Sequence, residues 1–284
     1  MSRCKAAFFA MALLVPVTSG AARADEITAV YNAYWAGLPA AQIRLTLRGG
    51  NAAYDDAIEI RSQGFPRLVS HFQGIANAAG RILSGHPAEP TRYDAVYDLR
   101  KRRNNRVSMR FVARGDATVA ERGALDTSRK PPLAEIFRRG AVDPMTAVER
   151  LRQAIAAAGP ANGRFSIPVY DGARRFDVLG EILPKKDQTD EFVRVALTLH
   201  PIAGFKGETS EDGDPDNAPR PVALTLTKDT RLLPLSLTVR VFFMPLSVRL
   251  DHLCSKSAPC PDQDEPSRHA EWLPITPPEA VQRQ

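Results

Sequence analysis

The stretch VDPMTAVERLRQAIAAAG, residues 142–159, places apolar residues at helical spacing in the middle of a chain that otherwise alternates between apolar and polar residues. Asp143 suits the N-cap of a helix, and Pro144 suits its first helical position. Gly159 and Pro160 end the pattern. We therefore predict one amphipathic helix at about 143–158, whose apolar stripe consists of Met145, Val148, Leu151 and Ile155.

Period-two alternation dominates the sequence on both sides of this helix, as in Ile43, Leu45 and Leu47. About a dozen such runs have one apolar and one polar face, which is typical of antiparallel strands. We expect a mainly β fold, a curved antiparallel sheet in the form of a half-open barrel or β-spiral wrapped around the helix. Residues 25–274 form a single domain in this prediction, and residues 275–284 form a flexible tail.

The concave face of such a sheet needs a cover, and the helix stripe is the obvious one. The stripe either fills the core or lines a ligand cavity, and we favour core filling because it is the commoner use of an apolar stripe. Strand residues such as Phe111, Val195 and Val239 are the expected contacts.

The first 24 residues have the pattern of a secretory signal peptide. Arg3 and Lys5 precede a short apolar run, and Ala22-Arg23-Ala24 forms a cleavage site. We therefore predict a periplasmic protein without a transmembrane anchor. Three of the 38 basic residues lie in this segment, which leaves a net charge of +3 and argues against a nucleic-acid partner.

Cys254 and Cys260 remain after removal of the signal peptide. In an oxidising compartment a nearby pair usually forms a disulfide. The alternative is a redox pair, but the spacing is not Cys-x-x-Cys and no helix signal accompanies it. We predict a structural disulfide.

A basic run lies at the tip between two alternating strands. A solvated hairpin end explains all of its cations, and binding of an anionic lipid headgroup or glycan is the alternative. These cations are Arg100, Lys101, Arg102, Arg103 and Arg106.

FSIPVYDGARRFDVLGEIL, residues 165–183, predicts a second charged hairpin, with Asp171-Gly172 as a two-residue turn. Its charges belong to the exposed face, where ion pairs contribute little.

Motifs of catalysis or metal binding are absent from the sequence. Asp212, Asp214 and Asp216 have the spacing of the first EF-hand ligands, but Asn217 replaces the glycine of that loop. The five histidines show no ligand spacing, and no nucleophile elbow, P-loop or dinucleotide fingerprint occurs. We expect no metal, no cofactor and no catalytic residue, although a catalytic triad is geometric and need not be local.

Three segments together resemble the exported bacterial family of domain of unknown function 3108 (DUF3108). They are AVYNAYWAGLPAAQIRLTL at 29–47, VDPMTAVERLR at 142–152 and VYDGARRFDV at 169–178. The resemblance implies an envelope protein with a curved antiparallel sheet, and it brings no catalytic residues. LTKDTRLLPLSLTV at 226–239 is more loosely similar to a hairpin of periplasmic lipoprotein carriers, which bind acyl chains in a half-open barrel.

These observations favour a non-enzymatic envelope protein that binds an apolar or amphipathic ligand or an envelope partner. Candidate partners are a lipid, a lipoprotein and another envelope protein. One alternative is a periplasmic hydrolase whose site is assembled from distant residues, and the other is a purely structural interaction module.

Overall fold

The structure, a computed structural model, describes residues 25–50, 52–64, 72–99, 102–127, 131–158, 163–184, 187, 189, 191–205, 217–241, 243–255 and 259–260. For residues 25, 99 and 102–104 it describes only the backbone. The predicted signal peptide, the three aspartates of the acidic loop and the tail lie outside the described residues.

Thirteen antiparallel strands form one sheet. They are β1 (Asp25–Trp35), β2 (Leu38–Gly49), β3 (Ala53–Ser62), β4 (Gln73–Arg81), β5 (Glu89–Leu99), β6 (Arg102–Arg114), β7 (Ala117–Arg122), β8 (Arg164–Tyr170), β9 (Arg175–Ile182), β10 (Phe192–Ala203), β11 (Arg220–Thr227), β12 (Pro234–Val241) and β13 (Met244–Cys254). Helix α1 is a single turn at Glu135–Arg138, and α2 spans Pro144–Ala158. The predicted mainly β fold around one central helix is confirmed.

The first and the last strand of the chain, β1 and β13, are neighbours in the middle of the sheet. The sheet runs from β7 back to β1, continues through β13, and then runs down to β8. The register pairs Ala33 of β1 with Val248 of β13. The N-terminal half, β1 to β7, and the C-terminal half, β8 to β13, therefore meet at the β1–β13 seam.

The two edge strands, β7 and β8, are linked by residues 139–142. Gly140 N donates to Thr118 O at 2.8 Å on the β7 side. On the β8 side, Val142 N donates to Pro168 O at 2.9 Å and Val142 O accepts from Tyr170 N at 2.8 Å. This linker nearly closes the sheet into a barrel and leads directly into α2.

The barrel has two ends, because antiparallel neighbours place their turns alternately at either end. The end defined by Trp35 carries the β1–β2, β5–β6, β8–β9 and β12–β13 turns. The other, which we call the helix end, carries the β4–β5 and β11–β12 turns. There Arg150 and Arg152 of α2 donate their Nε–H groups to Ala88 O and Arg231 O, both at 2.9 Å.

The helix is buried more completely than its stripe predicts. Thr146, Ala147 and Glu149 are buried together with the stripe residues Met145, Leu151 and Ile155, whereas Val148 is only half-buried. Successive helical residues point 100° apart, so these six surround the helix axis. The reason is that α2 lies inside the barrel, where more than one of its faces meets protein.

The β8–β9 hairpin differs from the prediction in its turn. The predicted two-residue turn Asp171-Gly172 is wrong, because the connection comprises four residues, 171–174. Asp171 Oδ1 accepts the backbone N–H groups of Ala173 at 2.8 Å and Arg174 at 2.6 Å. An aspartate at the start of a turn stabilises the longer connection in this way.

Candidate functional site

A buried polar cluster lies where the first turn of α2 faces the N-terminal half of the sheet. Asp143 is fully buried and caps the helix, since its Oδ1 accepts the N–H groups of Met145 and Thr146, each at 2.9 Å. Oδ2 accepts the hydroxyl of Thr146. The hydroxyl of Tyr54 on β3 lies 2.6 Å from the same Thr146 oxygen. A buried chain of hydrogen bonds thus fixes the helix to the sheet.

Burial raises the pKa of Asp143 to about 6, although the donors from Thr146 and Met145 oppose this shift. Burial also raises the pKa of Tyr54, so its hydroxyl keeps its proton. That proton is available for the hydrogen bond to Thr146.

Asp56 on β3 is the second buried carboxyl of this cluster. Only 1% of the residue is exposed, and its Oδ1 accepts the N–H of Arg48 at 3.0 Å. Burial, reinforced by the negative charge of Glu149, raises the pKa of Asp56 to about 8. Asp56 therefore carries a proton at neutral pH.

Glu149 and Arg152 of α2 complete the cluster. Their side chains form an ion pair, with both partners largely buried. The Asp56 carboxyl lies beside Glu149, which contributes to its raised pKa, whereas the buried hydroxyl of Tyr31 on β1 has no hydrogen-bond partner among the described atoms. The carboxyl of Asp56, whose pKa is raised, thus lies beside the Glu149–Arg152 ion pair.

This arrangement can hold and release a proton, but it carries no further chemistry in the part of the chain described. No group of three or more His, Cys, Asp or Glu side chains there is placed to hold a metal ion.

The burial of Asp56 can be predicted from its position in the strand, although Asp56 belongs to no catalytic or metal-binding motif. On β3, Tyr54, Ile58 and Ile60 occupy every second position and define the apolar face, and Asp56 lies in the same phase. An acid in the apolar phase of a strand predicts a buried carboxyl. Its partner Glu149 is not detectable in this way, because it lies off the helix stripe.

The stripe residues contact two different groups of side chains. Met145 packs with the N-terminal half, among residues that include Phe111. Leu151 and Ile155 pack with the C-terminal half, among residues that include Val195 and Val239. The stripe thus lies in packed protein, and its role in lining a ligand cavity stays a prediction.

The predicted anion-binding residues are only partly described. Arg102 and Arg103 begin β6, and Arg100 and Lys101 lie outside the described residues. The backbone of Arg106 is bonded to the loop that follows β7, since its N–H donates to Thr127 Oγ1 at 3.0 Å and its oxygen accepts from Thr127 N at 3.1 Å. Anion binding by this run stays a prediction.

Cys254 and Cys260 form a disulfide, with their Cα atoms 5.0 Å apart. Cys254 is the last residue of β13 and lies opposite Thr28 of β1. The crosslink therefore lies beside the seam that joins the two halves of the sheet.

Two polar pairs among the described residues bear on the hydrolase alternative. Ser108 Oγ donates to Asp94 Oδ1 at 2.6 Å, but the serine is fully buried. The small cleft next to it is lined by residues such as Arg122, Asp126 and Tyr170 and includes no histidine. Of the described histidines, His252 lies 2.8 Å from the carboxylate of its neighbour Asp251, with no serine in that pair.

In the part of the chain that the structure describes, no helix is long and apolar enough to cross a membrane.

The chain is similar to a solved β-barrel-like protein of domain of unknown function DUF1849 from Brucella abortus, with a TM-score of 0.48 and 12% sequence identity. The match covers 82% of this chain and 98% of the other. No family model matches the chain, and no curated protein matches it.

Proposed function

We propose that this chain is an exported, non-enzymatic protein of the bacterial cell envelope, which binds an apolar or amphipathic ligand or an envelope partner. Its relationship to the family of domain of unknown function 3108 belongs to this proposal and rests on the three motifs of the sequence.

The observation that carries the proposal is the occupied interior of the barrel. Leu151 and Ile155 of α2 pack into an aliphatic cluster with β8 to β12, and Met145 packs with the opposite half. The chain thus supplies much of its own core, which supports binding at the outer surface and the ends of the barrel.

Two features support export. The first 24 residues have the pattern of a cleaved signal peptide. The Cys254–Cys260 disulfide is stable in an oxidising compartment and is uncommon in the reducing cytosol. Neither feature depends on the identity of the ligand.

Fractionation of cells that express the full chain tests the proposal. We expect the protein in the periplasmic fraction, with Asp25 as its first residue and one linked peptide containing both cysteines in non-reducing mapping. Native mass spectrometry of this material then shows any retained lipid or protein partner directly. A cytoplasmic protein that keeps Met1 and carries free thiols would contradict the proposal.

A further inference from the structure

Two hairpin turns lie side by side at the Trp35 end of the barrel. The β1–β2 turn consists of Ala36 and Gly37, and the β12–β13 turn lies between Val241 and Met244. Ala36 N donates to Pro245 O at 2.9 Å, so the two turns are in contact. We call the described residues 34–40, 240–241 and 243–246 the paired tips.

The paired tips expose apolar side chains in positions where turns are usually polar. Phe243 is 74% exposed and Leu38 is 57% exposed. Pro39 and Pro245 beside them are exposed too. Turns favour Gly, Asn, Asp and Ser, so a phenylalanine here is not explained by turn formation. Contiguous exposed apolar side chains mark an interaction surface.

Two turns at the helix end are built from the usual polar residues. Gly115 and Asp116 form the β6–β7 turn, and residues 228–231 of the β11–β12 turn are Lys-Asp-Thr-Arg. Among the described residues, the two most exposed large apolar side chains of the hairpins, Phe243 and Leu38, both lie in the paired tips.

The chemistry of the paired tips matches a membrane surface. The paired tips also include Tyr34 and Trp35, which are half-buried, and these aromatic types favour the boundary between headgroups and acyl chains. Arg240, which is exposed, is the only charged residue in residues 34–40 and 240–246. The tips thus present apolar groups, aromatic groups and one cation, without a carboxylate to repel lipid phosphates.

We propose that the paired tips insert into the surface of an anionic phospholipid bilayer and hold the barrel there. A protein partner would need a surface shaped to these two convex turns and a rim of hydrogen-bonding groups. A fluid bilayer accepts convex apolar tips without matching their shape. The proposal rests on the envelope function above and names the lipid surface as the partner.

Vesicle flotation of the purified full chain tests the inference. Its mass is measured first, because retained residues 1–24 would bind vesicles by themselves. We expect the protein to float with vesicles of phosphatidylethanolamine and phosphatidylglycerol, and more weakly with vesicles of phosphatidylcholine alone. Phe243→Ser and Leu38→Ser should each weaken binding roughly tenfold, since each removes one inserted side chain.

Leu83→Ser is the matched control, since Leu83 is 45% exposed but lies in the β4–β5 turn at the helix end. It should bind vesicles as the parent protein does. Arg240→Gln should weaken binding to anionic vesicles about fivefold and leave binding to neutral vesicles unchanged.

Two results would overturn the inference. One is a parent protein that does not float with anionic vesicles, and the other is binding that neither tip substitution reduces while both variants keep the parent circular dichroism spectrum. Cell fractionation is independent of both results. A periplasmic protein that ignores vesicles refutes the insertion of the tips and leaves the envelope function standing.

Discussion

The two halves of the barrel interior are built from different side chains. In the C-terminal half, β8 to β13, the buried strand residues other than Tyr170 and Gly180 are branched aliphatics such as Val195 and Leu224, and no charged residue of these strands is buried among those described. The N-terminal half, β1 to β7, uses alanines and tyrosines, including Ala76, Ala78 and Tyr54, and it buries Asp56. Helix α2 contacts both halves.

This difference shows how one helix packs against an aliphatic surface and a partly polar surface at the same time. Leu151 and Ile155 face the aliphatic half, where burial of apolar area stabilises the fold. Thr146 and Glu149 are buried as well, which requires hydrogen bonds and charges to compensate them. Small residues on β4 leave room for the helix, and Tyr54, Asp56 and Arg152 supply or receive the compensating interactions.

Removing a side chain on the aliphatic side should have the largest effect. Leu151→Ala should lower the free energy of unfolding by about 2–5 kcal/mol, because it leaves a cavity in a packed cluster. Denaturant unfolding measures this cost. Leu179→Ala on the outer face of β9, where the leucine is 40% exposed, is the control and should cost far less.

If the cluster instead surrounds open space, Leu151→Ala should cost less than this range and should alter the uptake of a fluorescent fatty acid. That result would separate a cavity-lining helix from a core-filling one.

Replacing one buried glycine by alanine in each half tests which half is packed more tightly. Gly80 of β4 leaves no space for a side chain, since a Cβ atom there would overlap with the Tyr54 hydroxyl and with the backbone oxygen of Glu89. The three atoms nearest to a Cβ atom at Gly180 of β9 all belong to the ring of Phe165, which it would overlap. A ring can shift more easily than a strand backbone. Gly80→Ala should therefore cost about 1–3 kcal/mol, and Gly180→Ala should cost less.

Thermal unfolding of the two variants, followed by far-ultraviolet circular dichroism, compares these costs. Equal destabilisation, or a larger loss for Gly180→Ala, would contradict the view that the N-terminal half is the more tightly constrained around the helix.

The smallest effect concerns the proton on Asp56. Its pKa is about 8 in the folded protein, against about 4 for an aspartate in an unfolded chain. Between these values the unfolded state loses its proton while the folded state keeps it. The contribution of Asp56 to stability is therefore unfavourable and grows as pH rises from about 4 to 8.

Asp56→Asn keeps the shape and the Oδ1 acceptor for Arg48 but cannot ionise. At pH 8 it should stabilise the protein by about 1 kcal/mol or more, and at pH 4 it should have little effect. Denaturant unfolding at both pH values, with the exposed residue Asp116→Asn as control, measures this difference. A variant that is equally stable relative to the parent at both pH values would show that Asp56 is ionised in the folded state.

Much of the fold could be predicted because it follows from local periodicity. Ile43, Leu45 and Leu47 alternate along β2, and Asp143 and Pro144 mark the start of α2 as expected. These patterns require only that a strand has a period of two residues and a helix 3.6. The length of the β8–β9 turn was not predictable in this way, because Asp171 can stabilise more than one turn.

The candidate site was predictable only in part. Asp143 has a clear signal as an N-cap, and Asp56 has a weaker one in its strand phase. Glu149 has none, since on an isolated amphipathic helix its position faces water. It becomes buried because the β7–β8 linker, residues 139–142, delivers α2 into the barrel instead of onto its surface.

The sequence by itself determined the strands, the helix and the pattern of an export signal, because each depends on the order of neighbouring residues. It also placed two cysteines close enough to pair. Only the tertiary structure decided which polar residues are buried and which turns are adjacent. Asp56 and Glu149 are 93 positions apart in the sequence. A local sequence pattern cannot predict a contact over that separation. The β1–β2 and β12–β13 turns become neighbours because β1 pairs with β13.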